Sequence, residues 1–134
     1  MSRITRAFRV LLVLWAGSLW AMAIIVAPNL FRAQPDAQLA GMLAGRLFSI
    51  EAYLGVATAA IALLLPGRTR FLWGYGAAAL LATVQWVIGP RMVEAHLHGL
   101  AWGIGFGAWH GIAALLYGGA CILALLLIWN DDFR

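Results

Sequence analysis

Residues 10–31 read VLLVLWAGSLWAMAIIVAPNLF, 22 consecutive residues without a charge. A helix of that length, rising 1.5 Å per residue, crosses a hydrocarbon core of about 30 Å. Working outward, residues 71–90 form a second clean run of 20 residues. A third apolar stretch, from Leu39 to Leu65, is interrupted by Arg46 and Glu51. The last, from Ala95 to Asn130, holds 36 residues without Asp, Glu, Lys or Arg, longer than one span and shorter than two. Only its later part is assigned to a span, with an interfacial or re-entrant approach before it. The expected helices cover about residues 9–31, 38–65, 71–90 and 105–129 of one membrane domain over 1–134.

Composition points the same way. The chain is 64% hydrophobic and 10% charged, against about 25% charged residues in a soluble domain. A fold of this size buries too little area to hide that much apolar surface, so lipid must serve as its solvent. The runs lack the two-residue alternation of a membrane barrel, and backbone groups in lipid need partners within their own segment. The fold class is therefore all-α, a bundle of four transmembrane helices.

All nine basic residues are Arg, and they stand singly at the ends of apolar runs. That is membrane anchoring, and it excludes nucleic acid as a partner. Arg3, Arg6, Arg9, Arg68, Arg70 and Arg134 fall on one side, and Arg32, Arg46 and Arg91 on the other. The positive-inside rule then places both termini in the cytoplasm. Trp15, Trp73, Trp102 and Trp129 lie near the expected span ends, where interfacial tryptophans gather. A cleaved leader ending near Ala21-Met22-Ala23 is the rival reading of the first span. The run continues well past that point, and Trp15 and Trp20 suit a leader core poorly. The single cysteine, Cys121, lies in the last run and packs as a small apolar residue.

Val26-Ala27-Pro28-Asn29 resembles Ile88-Gly89-Pro90-Arg91, 62 positions on. Either two helical hairpins repeat in one orientation, or proline marks the exit of each helix. Gly41 and Gly45 stand four apart, as do Ala40 and Ala44, Gly55 and Ala59, and Gly99, Gly103, Gly107 and Gly111. Such spacing lets another helix approach closely, within the bundle or from a second subunit or flat cofactor.

Polar residues inside the spans carry the functional reading, because a charge at a helix centre in lipid costs about 3 kcal/mol. Asn29, Arg46, Glu51, Gln85, Arg91 and His110 all fall on the non-cytoplasmic half and form a candidate polar pocket. Glu51 is placed close enough to the interface to be partly hydrated. Its partner would be an arginine or His110, or it would carry protons. Glu94, His96, His98 and His110 are candidate metal ligands, since imidazole and carboxylate suit zinc, copper or iron. On a regular helix His96 leaves the face shared by Glu94 and His98; an extended segment would bring both histidines together. A helix continuous from His96 would set His110 and the glycines on one groove, where haem or a quinone head group fits. No phosphate loop, nucleophile elbow, paired-cysteine or His-Glu-x-x-His motif is present, so any activity must use the bundle itself.

Ala27-Pro28-Asn29-Leu30-Phe31, then Ala40-Gly41-Met42-Leu43-Ala44-Gly45-Arg46-Leu47-Phe48, then Phe106-Gly107-Ala108-Trp109-His110-Gly111 together resemble the bacterial relatives of transmembrane protein 205, also described as domain-of-unknown-function family 4149. The resemblance covers about Leu11 to Leu127. It carries Pro28, Phe31, Gly41, Gly45, Phe48, His110 and Gly111 as family positions and implies about four membrane helices in the bacterial inner membrane. It implies no established activity; the animal namesake's association with platinum-drug resistance points to transport or trafficking. The chain is also distantly similar to four-helix families linked to copper resistance and to haem-dependent protoporphyrinogen oxidation. Those oxidases place a histidine early in the first helix, where this chain has none. The expected function is non-enzymatic handling of a small molecule or metal through the polar pocket. The alternatives are a haem or quinone protein using His110, and a structural subunit joined to itself or to another membrane protein. No cofactor is required by the sequence, and haem or a metal ion is the one it would accommodate.

Overall fold

Four helices are long and apolar enough to cross a membrane: α1 (Arg3–Ala33), α2 (Ala37–Leu64), α3 (Arg68–His98) and α4 (Phe106–Trp129). The computed structural model describes residues 2–130, so Arg134 of the cytoplasmic count lies outside the described residues. The helices alternate in direction, which gathers Arg3, Arg6, Arg9, Arg68 and Arg70 at one end. Each packs against its neighbours around a ring, α1 on α2, α2 on α3, α3 on α4, and α4 back on α1. About a third or less of each apolar window is buried inside the chain. The rest, including Leu64, Leu115 and Trp129, faces outward and needs lipid.

The connections follow from local chemistry. Asp36 caps α2 by accepting from the backbone N–H groups of Gln38 and Leu39 at 2.9 and 3.2 Å. Pro66 ends that helix, and Gly67, at φ 85°, turns the chain into the 3-10 opening turn of α3. Between α3 and α4 lies a small hairpin, β1 (Leu100–Ala101) paired antiparallel with β2 (Ile104–Gly105). Its two turn residues, Trp102 and Gly103, have φ of 53° and 73°, the left-handed pair that suits a two-residue hairpin.

The helices differ from the expected spans in three ways. α1 and α3 run straight through Pro28 and Pro90, so neither proline marks a helix exit. In both, a π-helical stretch precedes the proline, Met22–Val26 in α1 and Val84–Ile88 in α3. Inside an α-helix proline removes a hydrogen bond and its ring collides with the carbonyl four residues back. The wider turn shifts the bonding to five residues, Ala27 N–H to Met22 C=O and Gly89 N–H to Val84 C=O, and absorbs the misfit. In α1 the Asn29 side chain also donates to the Ile25 carbonyl at 2.7 Å.

Second, α3 continues to His98, which replaces the expected interfacial approach with helix followed by hairpin. Third, Trp15 sits well inside α1, 3% exposed in the main core with Phe8, Leu12, Leu19, Leu81 and Tyr117, rather than at an interface. A second apolar cluster, Ile88, Ala95, Ala101, Trp109 and Ala113, closes the hairpin end.

Candidate functional site

The buried face of α2 is Ala40, Ala44, Glu51, Ala52, Gly55, Thr58 and Ala62. Steps of three, four and seven put Ala40, Ala44, Glu51, Gly55, Thr58 and Ala62 on one stripe with Ala52 beside it, so Glu51 occupies a core position among small residues. It is 5% exposed. With α2 running from Ala37 to Leu64, Glu51 stands at the helix midpoint, about 20 Å from either end at 1.5 Å per residue. The helix begins earlier than the clean apolar run, at Ala37, and this sets Glu51 at mid-helix rather than one turn into the span.

Its partner comes from α1. The Ser18 hydroxyl lies 3.0 Å from Glu51 Oε2 and 2.7 Å from the Trp15 carbonyl. Next to it, the Leu19 carbonyl accepts from the Tyr117 hydroxyl at 3.0 Å and from the Cys121 thiol at 3.7 Å. The α-to-π transition lies immediately beyond, where Met22 N–H is shared between the Ser18 and Leu19 carbonyls. Trp20 Nε1 returns the contact by donating to the Cys121 carbonyl at 3.1 Å. Phe48, one turn before Glu51, meets the Tyr117 ring edge-on at 4.9 Å. Three helices thus converge on one polar centre, held by α1 and α4 backbone and side chains and approached from α2 by the carboxyl. Trp15 Nε1, buried beside it, has no hydrogen-bond partner among the described residues.

The other expected site residues fall elsewhere. Asn29 bonds its own helix, Arg46 is exposed, and Gln85 is half-buried in the wide turn of α3. Arg91 donates to Glu94 at 2.8 Å, and its guanidinium lies 4.1 Å above the Trp102 ring. His110 is exposed and stacks on Phe106 at 6.0 Å; His96 meets the same ring at 5.7 Å. Glu51 forms no hydrogen bond or ion pair with Asn29, Arg46, Gln85, Arg91 or His110 among the described residues. Helix through residue 98 separates His96 from Glu94 and His98, so the extended arrangement is not adopted. No three His, Cys, Asp or Glu side chains come together to hold a metal among the described residues.

The glycines divide differently from their spacing. Gly41, Gly45, Gly107 and Gly111 each face open space, and Gly103 serves the hairpin turn. A groove continuous from His96 to His110 is interrupted by the hairpin. Close approach is made instead at Gly55, where a Cβ would lie 3.1 Å from Leu81 and 3.3 Å from Trp15. Gly76 and Gly119 do the same against Leu123 and Leu80. A small cleft of about 20 Å³ lies at the Arg-rich end, lined by Thr5, Phe8, Ala62, Leu65 and the Pro66-Gly67 turn, far from Glu51. Ser18, Trp15, Trp20, Tyr117 and Cys121 had no place in the expected pocket. A hydroxyl or indole in an apolar run carries no signal until the depth of each helix is known.

These features define an integral membrane protein of four helices with a polar centre at the middle of α2. The family model described as "Domain of unknown function (DUF4149)" matches residues 10–101, and the chain belongs to that family. The match covers α1 from Val10 onward, α2, α3 and the first hairpin strand, so Pro28, Phe31, Gly41, Gly45 and Phe48 fall within it while His110 and Gly111 lie beyond. No curated relative and no solved structure matches the chain.

Proposed function

We propose that this protein handles a small molecule within the membrane, using the centre formed by Ser18, Glu51, Tyr117 and Cys121. The observation that carries this reading is the Glu51 carboxyl, buried at the midpoint of a membrane helix with a hydroxyl as its partner. An ionisable group at that depth is expensive to insert and marks a pathway or binding step by default. The reading places the protein in a bacterial inner membrane with both termini in the cytoplasm, as the arginine distribution supports. Asn29, Arg46, Gln85 and Arg91 then lie toward the non-cytoplasmic approach to the centre. The resemblance to the transmembrane protein 205 family supports a role in transport or trafficking.

The test is a thermal-unfolding panel on protein in lipid nanodiscs, with divalent and soft metal ions and small organic cations as probes. At least one probe is expected to raise the unfolding midpoint of the wild type and to lose that effect in Glu51→Ala and Tyr117→Phe. If all probe responses are identical in wild type and variants, the proposal fails.

A second reading, a structural subunit, is favoured by one observation. The Tyr117, Cys121 and Trp20 contacts all end on backbone carbonyls, as helix staples do. It predicts that the same variants lower stability with no probe response, and that cross-linking in native membranes captures a second chain.

A further inference from the structure

The Ser18 hydroxyl has one hydrogen and two oxygens within bonding distance, the Trp15 carbonyl at 2.7 Å and Glu51 Oε2 at 3.0 Å. A backbone carbonyl only accepts, so the hydrogen in the shorter contact belongs to Ser18. The longer contact then needs a hydrogen of its own. The only group in it able to supply one is the carboxyl, which donates when it carries a proton. The alternative has Ser18 donating to a carboxylate at 5% exposure, which leaves the shorter contact with the Trp15 carbonyl without a hydrogen of its own and the charge with no cation bonded to it among the described residues. An unpaired buried charge of that kind is strongly unfavourable.

We propose that Glu51 is a proton-binding site at the middle of the membrane. Its carboxyl donates to Ser18 Oγ, and Ser18 passes its own hydrogen to the Trp15 carbonyl. The proposal deepens the functional reading above and rests on it for its biological use: the molecule handled at this centre would be coupled to a proton.

A second, independent feature fits the deprotonated state. Trp15 is almost wholly buried, and its Nε1–H has no partner among the described residues. Its ring lies against Gly55, one turn along α2 from Glu51. When the proton leaves Glu51 for water or an arriving solute, the carboxylate gains a donor in Ser18. Ser18 rotates its hydrogen from the Trp15 carbonyl to the carboxylate, and the unpartnered indole N–H belongs to the ring packed one turn along α2. Of the remaining groups around the site, Tyr117 and Cys121 lie close enough to interact with a charge on Glu51 but form no hydrogen bond with it among the described residues. Tyr117 and Cys121 of α4 donate to the Leu19 carbonyl, and Leu81 of α3 is apolar.

The test is infrared spectroscopy of the protein in lipid nanodiscs at neutral pH. The wild type is expected to show the carbonyl stretch of a protonated carboxyl. That band is expected to vanish in Glu51→Gln, persist in Glu94→Gln, and shift to higher frequency in Ser18→Ala as its hydrogen bond is lost. Glutamine keeps the size of the side chain and can donate to Ser18 Oγ, so the fold is expected to hold. Should it not, the carboxyl carbon shift of Glu51 in ¹³C-labelled wild type gives the same answer. A wild type without the band, or with one that survives Glu51→Gln, overturns the proposal. A band that behaves as expected, with no probe response in thermal unfolding, upholds the proton site and sinks the small-molecule reading. A probe response lost in Glu51→Gln with no band does the reverse.

Discussion

In α1 the wide turn covers Met22–Val26 and the proline stands at 28; in α3 it covers Val84–Ile88 and the proline stands at 90. One spacing, 62 positions, relates both features, and each helix is 31 residues long. The chemistry placed on this shared backbone is opposite. Position 18 in α1 is the serine that meets Glu51; its counterpart in α3 is Leu80, packed over Gly119. Past the proline the order reverses. Asn29 satisfies its own helix, whereas its counterpart Arg91 reaches Glu94 and the Trp102 ring and ties α3 to the hairpin. The backbone irregularity is therefore a way of building a proline-containing membrane helix. The polar centre depends on side chains that only one of the two helices carries.

Exchanging residues between the matched positions puts that comparison at risk. The largest effect is expected from Ser18→Leu, which gives α1 the α3 residue, strips Glu51 of its partner and crowds the core. The expected loss is about 1–3 kcal/mol in reversible unfolding in lipid or detergent. The reverse exchange, Leu80→Ser, removes only contacts at a half-buried position and is expected to cost about 1 kcal/mol. Equal costs would mean that the centre is packing and nothing more. Tyr117→Phe deletes one interhelical hydrogen bond, worth about 0.6–1.7 kcal/mol on the same measurement. Arg91→Asn, making α3 like α1 beyond its proline, is expected to cost about 0.5–1 kcal/mol. Its signature would be local, a change in Trp102 fluorescence with the Tyr117 region unaffected. The smallest changes are expected from Pro28→Ala and Pro90→Ala, each within about 0.5 kcal/mol. A gain near the roughly 3 kcal/mol that an interior proline costs an α-helix would show that the wide turns do not relieve the strain.

The four helices were legible because charge is costly in lipid and clean apolar runs stand out. Their ends were not. Arg3, Arg6 and Arg9 belong to the first helix, since long arginine side chains reach the interface from within a helix. Residues 91–98 are helical although polar, because they lie beyond the apolar part of α3. Glu51 was legible as a carboxylate inside an apolar run, but its depth followed only from the true start of α2. Gly41 with Gly45 and Ala40 with Ala44 stood out alike by spacing, and only the alanines are the buried pair. A one-residue step turns a helix by about 100°, so spacing names a stripe without saying which stripe faces in. Ser18 was silent because a serine in lipid can bond its own backbone, as it does to Trp15.

The wide turns have a further consequence for the phase of each helix. A π turn holds one residue more than an α turn, so every side chain beyond it is rotated by about 100° from where an unbroken helical wheel would set it. Residues 27–33 of α1 and 89–98 of α3 present faces that a wheel drawn from the first half of each helix assigns to the wrong side. Deleting a single residue within 22–26 or 84–88 would restore α-helical bonding and leave everything beyond that point, Asn29 or Arg91 included, facing as it does now, whereas a deletion in a regular turn would rotate it by about 100°. In α3 Arg91 would keep its direction toward Trp102, so the wide turn carries one extra residue without turning the end of the helix away from the hairpin.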